Sequence, residues 1–258
     1  MWPINWGFDA MTFSIVAHCP RTGMLGVAVA TAVPAVGATC PYVLSQRGAA
    51  STQSWVNPHL AIDVLSRLAS AAAPDALQAT MALDAGRALR QIGVVDAQGR
   101  SAAWSGSDCT PWFGHFIEPH FAVQGNMLAD EGVLLAMAAA FRDSAELDLD
   151  ERLLRALEAG DAAGGDRRGK QSAALKLHHR QPFALLDLRV DEHPEPVTEL
   201  RRVHGIARAE TLPFVQQMPT DVHGAGQVAP EVLRLLALSP AQRAAERTHP
   251  PLRQDPAP

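Results

Sequence analysis

Lysine and cysteine are scarce in this chain, and the pattern of both excludes several kinds of site. Lys170 and Lys176 are the only lysines among 258 residues, and the net charge is -5. A chain without a basic run lacks the electrostatic footprint of a nucleic-acid-binding protein, so we expect no nucleic-acid partner. The three cysteines share no Cys-x-x-Cys or Cys/His ligand spacing, so we expect no disulfide framework and no metal site, but reduced thiols in a cytoplasmic protein. They are Cys19, Cys40 and Cys109.

Long apolar runs and the common catalytic signatures are also missing. No stretch approaches the roughly 18 charge-free apolar residues that a membrane-spanning helix requires, so we expect no membrane partner. The chain has no Gly-x-Ser-x-Gly, phosphate-loop, dinucleotide-binding glycine or His-Glu-x-x-His motif, and we expect no cofactor. Residues 1–10 have neither the basic start nor the apolar core of a signal peptide. We expect residues 1–11 to be a leader, a propeptide or the result of an upstream start codon.

The most informative stretch is a predicted β-hairpin near the start of the chain. Phe13–Ala17 and Leu25–Ala30 are short apolar runs, and Pro20–Gly23 between them has the residues of a turn. Thr12 stands at the head of the first strand, directly after Met11. If Met11 is the working start, or if the chain cleaves itself there, Thr12 has a free α-amine with a pKa near ~8. That amine can act as general base for the hydroxyl of the same residue. The simpler interpretation is an ordinary hairpin of a mixed sheet.

Strand-like runs joined by hairpin turns alternate with pairs of helical patterns along the rest of the chain. This order predicts an α+β fold with mainly antiparallel sheets covered by helices. The last strong helical pattern is Pro196–Ala209, and the predicted domain spans residues 12–209. Pro, Gln, His and Gly become frequent beyond it. Residues 210–258 are therefore predicted to be a partly disordered tail with one short helix, at Pro230–Leu238.

Polar side chains at two predicted strand ends are candidates for the chemistry. Gln53 and Asn57 lie at one strand end and can position a substrate amide, although a strand edge and a turn are the simpler explanation. Asn126 ends another strand after a glycine and is a candidate oxyanion donor. Alternatively, Asn126 is a turn residue whose backbone dihedral angles lie in the left-handed region. Both pairs of interpretations stay open at this stage.

The loop Gly164–Ala174 is the third candidate. Its charged residues lie between glycines and lead into an apolar strand, so Asp166 and Arg168 can be held in fixed places. Gln171 and Ser172 follow directly and are predicted to bind substrate. The alternative is a solvated connection between a helix and a strand. A catalytic cysteine paired with a histidine also remains possible, because sequence spacing does not reveal such pairs.

Several motifs, read together and in order, resemble one bacterial family. They are Met11-Thr-Phe-Ser-Ile-Val-Ala, Thr22-Gly-Met-Leu-Gly-Val-Ala-Val-Ala, Ala35-Val-Gly, Thr52-Gln-Ser-Trp-Val-Asn-Pro, Arg90-Gln-Ile-Gly-Val-Val-Asp-Ala-Gln-Gly, Gly114-His, Ala122-Val-Gln-Gly-Asn, Ala163-Gly-Gly-Asp-Arg-Arg-Gly-Lys-Gln-Ser-Ala-Ala and Leu188-Arg-Val-Asp-Glu-His-Pro. The pattern is similar to the Ntn-hydrolase-like family known as DUF 1028, from about Thr12 to Ala209.

The resemblance implies a four-layer αββα sandwich and an N-terminal-nucleophile amidohydrolase acting on a small amide or peptide-like substrate. Thr12 takes the place of the nucleophile, with Asn126 and Asp166 as further catalytic residues. Arg168 is expected to bind or orient the substrate. By analogy with the fold we also expect a homo-oligomer.

The sequence departs from the superfamily pattern in one respect. No lysine lies between Thr12 and Gly169, so a lysine beside the nucleophile is missing. Arg168, or a polar network with Asp166 and Gln171, is our candidate for tuning the Thr12 amine. The alternative function is a non-catalytic Ntn-fold protein that binds a ligand or partner, and a cysteine-dependent hydrolase is a third possibility.

Overall fold

The opening hairpin lies at the centre of the larger of two antiparallel sheets. In the computed structural model, which describes residues 12–222, 224, 226 and 228–248, strand β1 spans Thr12–His18 and β2 spans Leu25–Thr31. The turn between them uses Gly23 at a positive φ of 74°, where a side chain would be strained. Its N–H donates to the Cys19 carbonyl at 2.8 Å. The predicted hairpin is confirmed.

Ten strands and seven helices are present in the described residues. The remaining strands are β3 Pro41–Leu44, β4 Gly48–Ser54, β5 Arg90–Asp96, β6 Ser101–Ser105, β7 Gly114–Glu118, β8 Phe121–Asn126, β9 Ser172–His178 and β10 Ala184–Val190. The helices are α1 Pro58–Arg67, α2 Ala73–Leu83, α3 Gly132–Asp143, α4 Leu149–Ala162, α5 Pro196–Val215, α6 Pro230–Ala237 and α7 Pro240–Thr248. The α+β composition predicted from the sequence is confirmed.

The strand order gives β1 a neighbour on each side. The six-stranded sheet runs β10-β9-β2-β1-β8-β7 and the four-stranded sheet runs β3-β4-β5-β6. Every pairing is antiparallel, as predicted. The registers align Ser172, Thr31, Thr12 and Asn126 in one cross-strand row at the same end of the sheet. Directly opposed side chains lie about 4.5–5.5 Å apart at Cβ, so the row forms a continuous polar line.

Alternation along the strands separates two faces of β1. Its even-numbered positions face the second sheet, where Val16 belongs to a buried cluster shared by both sheets. The cluster comprises Val16, Leu25, Val27, Ala49, Val95 and Ala122. The odd-numbered positions face the other way, and α4 contacts both β1 and β2. Helices α1 and α2 pack on the second sheet through another buried cluster, which includes Leu60, Val64, Leu77, Met81, Ile92 and Val94. No described helix has the length and apolar character needed to cross a membrane.

The C-terminal part contains more helix than the sequence patterns predict. By its contacts the chain divides into two compact units between Val203 and His204. The described residues of the second unit include the end of α5 and two helices, where one short helix is predicted. Helix α7 begins at a capping box, because Ser239 Oγ accepts from Gln242 N at 3.3 Å and Gln242 Oε1 accepts from Ser239 N at 2.8 Å. Residues 1–11 and 249–258 lie outside the described residues, and the predicted domain boundaries stay a prediction.

The two sheets are closely packed where Gly93 of β5 faces Gln124 of β8. A Cβ at position 93 would lie 2.0 Å from Gln124 Oε1. Gly93→Ala should therefore displace this buried amide and cost about 2 kcal/mol of unfolding free energy in a urea titration. Gly205→Ala is the matched control, since nothing lies within 4 Å of its added methyl. It should leave the protein as stable or slightly more stable. Equal effects of both substitutions would contradict close packing at Gly93.

Candidate functional site

Thr12 is buried in the polar row at the end of the larger sheet. Its residue surface is 3% exposed. The hydroxyl donates to Thr31 Oγ1 at 3.3 Å, and its carbonyl accepts from Gln53 Nε2 at 3.0 Å. Asn126 lies opposite Thr12 on β8. The structure thus brings together three of the residues singled out from the sequence: Thr12, Gln53 and Asn126.

A network of buried amides fills the space between the two sheets behind Thr12. Gln53 Nε2 also donates to Gln91 Oε1 at 2.9 Å, and Gln91 Oε1 accepts from Asn126 Nδ2 at 2.9 Å. Ser14 Oγ donates to Gln53 Oε1 at 2.6 Å and accepts from Gln124 Nε2 at the same distance. Because buried polar groups are costly unless paired, these hydrogen bonds favour one arrangement of the Gln53 and Gln91 amides. Among the described residues, the oxygens of Gln124 and Asn126 are buried without a partner.

The network reaches the surface through two side chains. Gln91 Nε2 donates to Ser105 Oγ at 2.7 Å, and this oxygen lies 3.0 Å from His115 Nδ1. Burial of its ring lowers the pKa of His115. Hydrogen bonds thus connect Asn126 with His115 at the surface, through Gln91 and Ser105.

Asp166 and Arg168 are close to the row but serve the loop that contains them. Asp166 is 7% exposed, and its Oδ2 accepts from Ala32 N at 3.0 Å. Its Oδ1 accepts from Arg168 N at 2.8 Å, and Arg168 Nη2 lies 3.2 Å from Oδ2. Burial raises the pKa of Asp166, although the hydrogen bonds from Arg168 and Ala32 act against that rise. Asp166 thereby holds the 164–169 loop beside Thr31, the hydrogen-bond partner of Thr12.

The other predicted binding residues have structural partners. Gln171 N donates to the Thr31 carbonyl at 2.8 Å, which places Gln171 beside the polar row. Ser172 Oγ donates to the Val33 carbonyl at 2.6 Å and accepts from Val36 N at 3.0 Å. Asn57 is the N-cap of α1, where its side chain accepts from His59 N at 3.2 Å. Their role as substrate-binding residues stays a prediction.

Both lysines are committed to ion pairs, so neither is available as a partner for Thr12. Lys170 Nζ lies 2.8 Å from Asp161 and 2.7 Å from Glu195, and Lys176 Nζ lies 3.0 Å from Asp187. Within the part of the chain that the structure describes, no three His, Cys, Asp or Glu side chains come together as metal ligands. The site around Thr12 is built from hydroxyls and carboxamides.

Sequence reasoning missed four members of the site: Ser14, Thr31, Gln91 and Gln124. Each is a buried polar residue of a strand, on β1, β2, β5 or β8. The signal in the sequence was the alternation of polar and apolar residues, since Thr12 and Ser14 alternate with apolar residues along β1. It could be recognised only with the strand pairing known, because these residues come from four different strands.

The comparisons with known proteins assign a family over most of the chain. A family described as "Family of unknown function (DUF1028)" matches residues 12–200. The chain belongs to the DUF1028 family. The match begins at Thr12, the residue that heads β1.

A solved structure supports the same assignment. The DUF1028 protein SPO2555 from Silicibacter pomeroyi is 32% identical, with a TM-score of 0.78, over 85% of this chain and 96% of that one. Anbu, an ancestral beta-subunit from Yersinia bercovieri, is 12% identical over 80% of this chain and 98% of that one. Its TM-score of 0.36 is too low to carry an argument. No curated protein matches the chain.

Gln91 connects more members of the network than any other side chain described here, so its removal tests the network directly. Gln91→Leu keeps the volume but leaves Gly114 O, Gly125 O and the amides of Gln53 and Asn126 without this partner. We expect a loss of about 3 kcal/mol in unfolding free energy, measured by urea denaturation.

The control makes the same chemical change on an exposed helix position. Gln78→Leu in α2 should change the unfolding free energy by no more than about 0.5 kcal/mol. If Gln91→Leu is as mild as Gln78→Leu, the network contributes little to stability.

The cysteine-dependent alternative is tested by alkylation. Burial raises the pKa of Cys40 to about 12. At pH 8 only about one part in ten thousand of that thiol is thiolate, so iodoacetamide should leave Cys40 unmodified in the folded chain and modify it in urea. Mass spectrometry of the Cys40 peptide gives the answer. Rapid modification of folded protein together with loss of activity would revive the alternative.

Proposed function

We propose that this DUF1028 protein is an N-terminal-nucleophile amidohydrolase that cleaves a small amide or peptide-like bond with Thr12. The observation that carries the proposal is the position of Thr12. It heads the central strand of the larger sheet, and both neighbouring strands place a polar side chain, Thr31 or Asn126, opposite it. Such a site offers a nucleophile together with groups that can hold a substrate amide.

The helix contacts are compatible with the αββα layering of that superfamily, and we include this layering in the proposal. Helices α3 and α4 pack against each other and contact strands of the larger sheet. Helices α1 and α2 pack on the smaller sheet, and the two sheets contact each other between β1 and β4 and between β5 and β8. This arrangement places Thr12 at the end of the space between the sheets.

The proposed reaction needs a free α-amine on Thr12. The amine accepts the hydroxyl proton while Thr12 Oγ1 bonds to the substrate carbonyl carbon. It then gives that proton to the leaving nitrogen as the carbon–nitrogen bond breaks, which leaves an ester on Thr12. A water molecule hydrolyses the ester and restores the hydroxyl. In the full chain the Thr12 nitrogen is part of a peptide bond to Met11, so activity depends on removal of residues 1–11.

The same peptide bond favours a second function if it stays intact. A blocked nitrogen has no proton-accepting lone pair, and both lysines are engaged in ion pairs. An unprocessed chain is then a binding protein that uses the polar row to hold a ligand without hydrolysing it.

The first experiment is the intact mass of the purified protein, followed by a screen of small amides. We expect a chain that begins at Thr12 and that hydrolyses at least one amide. Thr12→Ala should lower that turnover by about a thousandfold or more, because nucleophile and proton acceptor no longer act together. Thr12→Ser, which keeps a hydroxyl and an amine, should retain part of it.

Thr198→Ala is the matched control, since Thr198 is exposed on α5. It should leave turnover unchanged. A Thr12→Ala variant that is folded, as judged by circular dichroism, and still active would overturn the assignment. A chain that keeps residues 1–11 and binds a ligand without a product would favour the second function.

A further inference from the structure

Asn126 has one half of its carboxamide paired and the other half buried without a partner. The residue is 1% exposed, and its Nδ2 donates to Gln91 Oε1 at 2.9 Å. Within the part of the chain that the structure describes, its Oδ1 is buried and, like Gln124 Oε1, has no hydrogen-bond partner. A buried carbonyl oxygen without a donor costs free energy, so this atom is an unfilled acceptor.

The direction of the Asn126 amide follows from backbone carbonyls further along the network. Gln91 Nε2 donates to the Gly125 carbonyl at 2.8 Å and to the Gly114 carbonyl at 3.1 Å. Carbonyls only accept hydrogen bonds, so the nitrogen of Gln91 must face them and its oxygen must face Asn126. Asn126 therefore has to present its nitrogen to Gln91, which leaves Oδ1 on the other side.

Gln53 reinforces this choice from the Thr12 side. Its Nε2 donates to the carbonyls of Thr12, at 3.0 Å, and Gln124, at 3.3 Å. The same nitrogen donates to Gln91 Oε1, which excludes a flipped Gln91 amide. Rotating the Asn126 amide would bring its oxygen against Gln91 Oε1, with two acceptors facing each other. Four backbone carbonyls thus determine which atom of Asn126 is available.

Thr12 is placed to donate a hydrogen bond to Asn126 Oδ1. It lies directly across from Asn126 in the strand register, which puts their Cβ atoms about 4.5–5.5 Å apart. Its hydroxyl hydrogen is already directed at Thr31 Oγ1. The donor that processing adds at this position is the α-amine.

We propose that Asn126 is a positioning residue whose Oδ1 accepts a hydrogen bond from the free α-amine of Thr12. This inference rests on the proposed function and replaces the oxyanion-donor role expected from the sequence. One N–H directed at Asn126 orients the amine while its lone pair remains free to accept the hydroxyl proton. Asn126 Oδ1, whose direction is set by Gln91 and Gln53, then orients the amine in a chain with no lysine near Thr12.

The chain has only three asparagines, which makes a direct test practical. In protein translated from Met11, whose initiator methionine is removed before the small Thr12, only Asn57 and Asn126 remain. With 13C at the asparagine carboxamide carbon, each gives one NMR signal. We expect the Asn126 signal to shift with pH at the midpoint at which the Thr12 amine titrates, and the Asn57 signal, from the cap of α1, to stay constant.

Two controls make the result decisive. The full-length chain, in which the Thr12 nitrogen is blocked, should show no such shift for Asn57 or Asn126 if residues 1–11 are retained. Circular dichroism of both chains checks that the shorter one is folded. A Thr12 amine that titrates while the Asn126 signal stays constant would overturn the proposal.

Substitution adds a second readout that needs no substrate. Asn126→Leu removes the acceptor and should lower the pKa of the Thr12 amine by about one, because the ammonium form loses its partner. Asn126→Asp adds a negative charge and should raise that pKa by about one or more. The pKa of the Thr12 amine in both variants is measured from the rate at which the amine is chemically modified as a function of pH, followed on the N-terminal peptide. Gln78→Leu is the control and should leave that pKa unchanged.

The pKa readout separates this inference from the proposed hydrolase activity. If no amide is hydrolysed but the amine titration follows Asn126, the contact is correct and the hydrolase proposal fails. If turnover depends on Thr12 but the pKa is the same in Asn126→Leu, Thr12 keeps its role and the positioning role of Asn126 is wrong.

Discussion

Buried backbone carbonyls need hydrogen-bond donors, and side-chain amides between the two sheets supply them at the Thr12 end. Three glutamines and one asparagine lie there beside the apolar cluster around Val16, and their nitrogen atoms donate to backbone carbonyls, to one another or, for Gln124, to Ser14 Oγ. The carbonyl contacts fix the direction of the Gln53 and Gln91 amides, and through Gln91 that of Asn126. The amides of Gln53, Gln91 and Asn126 therefore have defined orientations, although none of these side chains carries a charge.

The position of β1 connects this network to the rest of the fold. As a central strand it is paired along its whole length on both sides, so Thr12 is held from two directions. One face of the strand carries Phe13 and Ile15, which are fully buried. The other carries Thr12 and Ser14 toward the amides. A shift of one residue in register would exchange the two faces, so apolar packing and the polar site enforce the same alignment.

The shortage of lysine gives the site its particular chemistry. An amine at Thr12 would lie among hydroxyls and carboxamides, while both lysines are held by carboxylates. Dipoles influence a titrating group less than a neighbouring charge does. The acidic residue nearest the row, Asp166, is occupied in closing its loop on Ala32 and Arg168. A neutral environment of this kind suits a proton acceptor.

The sequence by itself determined the α+β character of the chain, the antiparallel character of the sheets and the place of Thr12 at the head of β1, but it did not predict helix α7. These follow from local patterns, namely alternation along strands, helical periodicity and turn residues such as Gly23. It also pointed to Gln53 and Asn126, because polar residues at strand ends stand out, and to Asp166, because charged residues between glycines do. Only the tertiary structure decided which of them meet, and that Gln91 and Gln124 belong with Thr12. The reason is physical: the direction of each amide depends on carbonyls from strands far apart in sequence, and only strand pairing brings those carbonyls together.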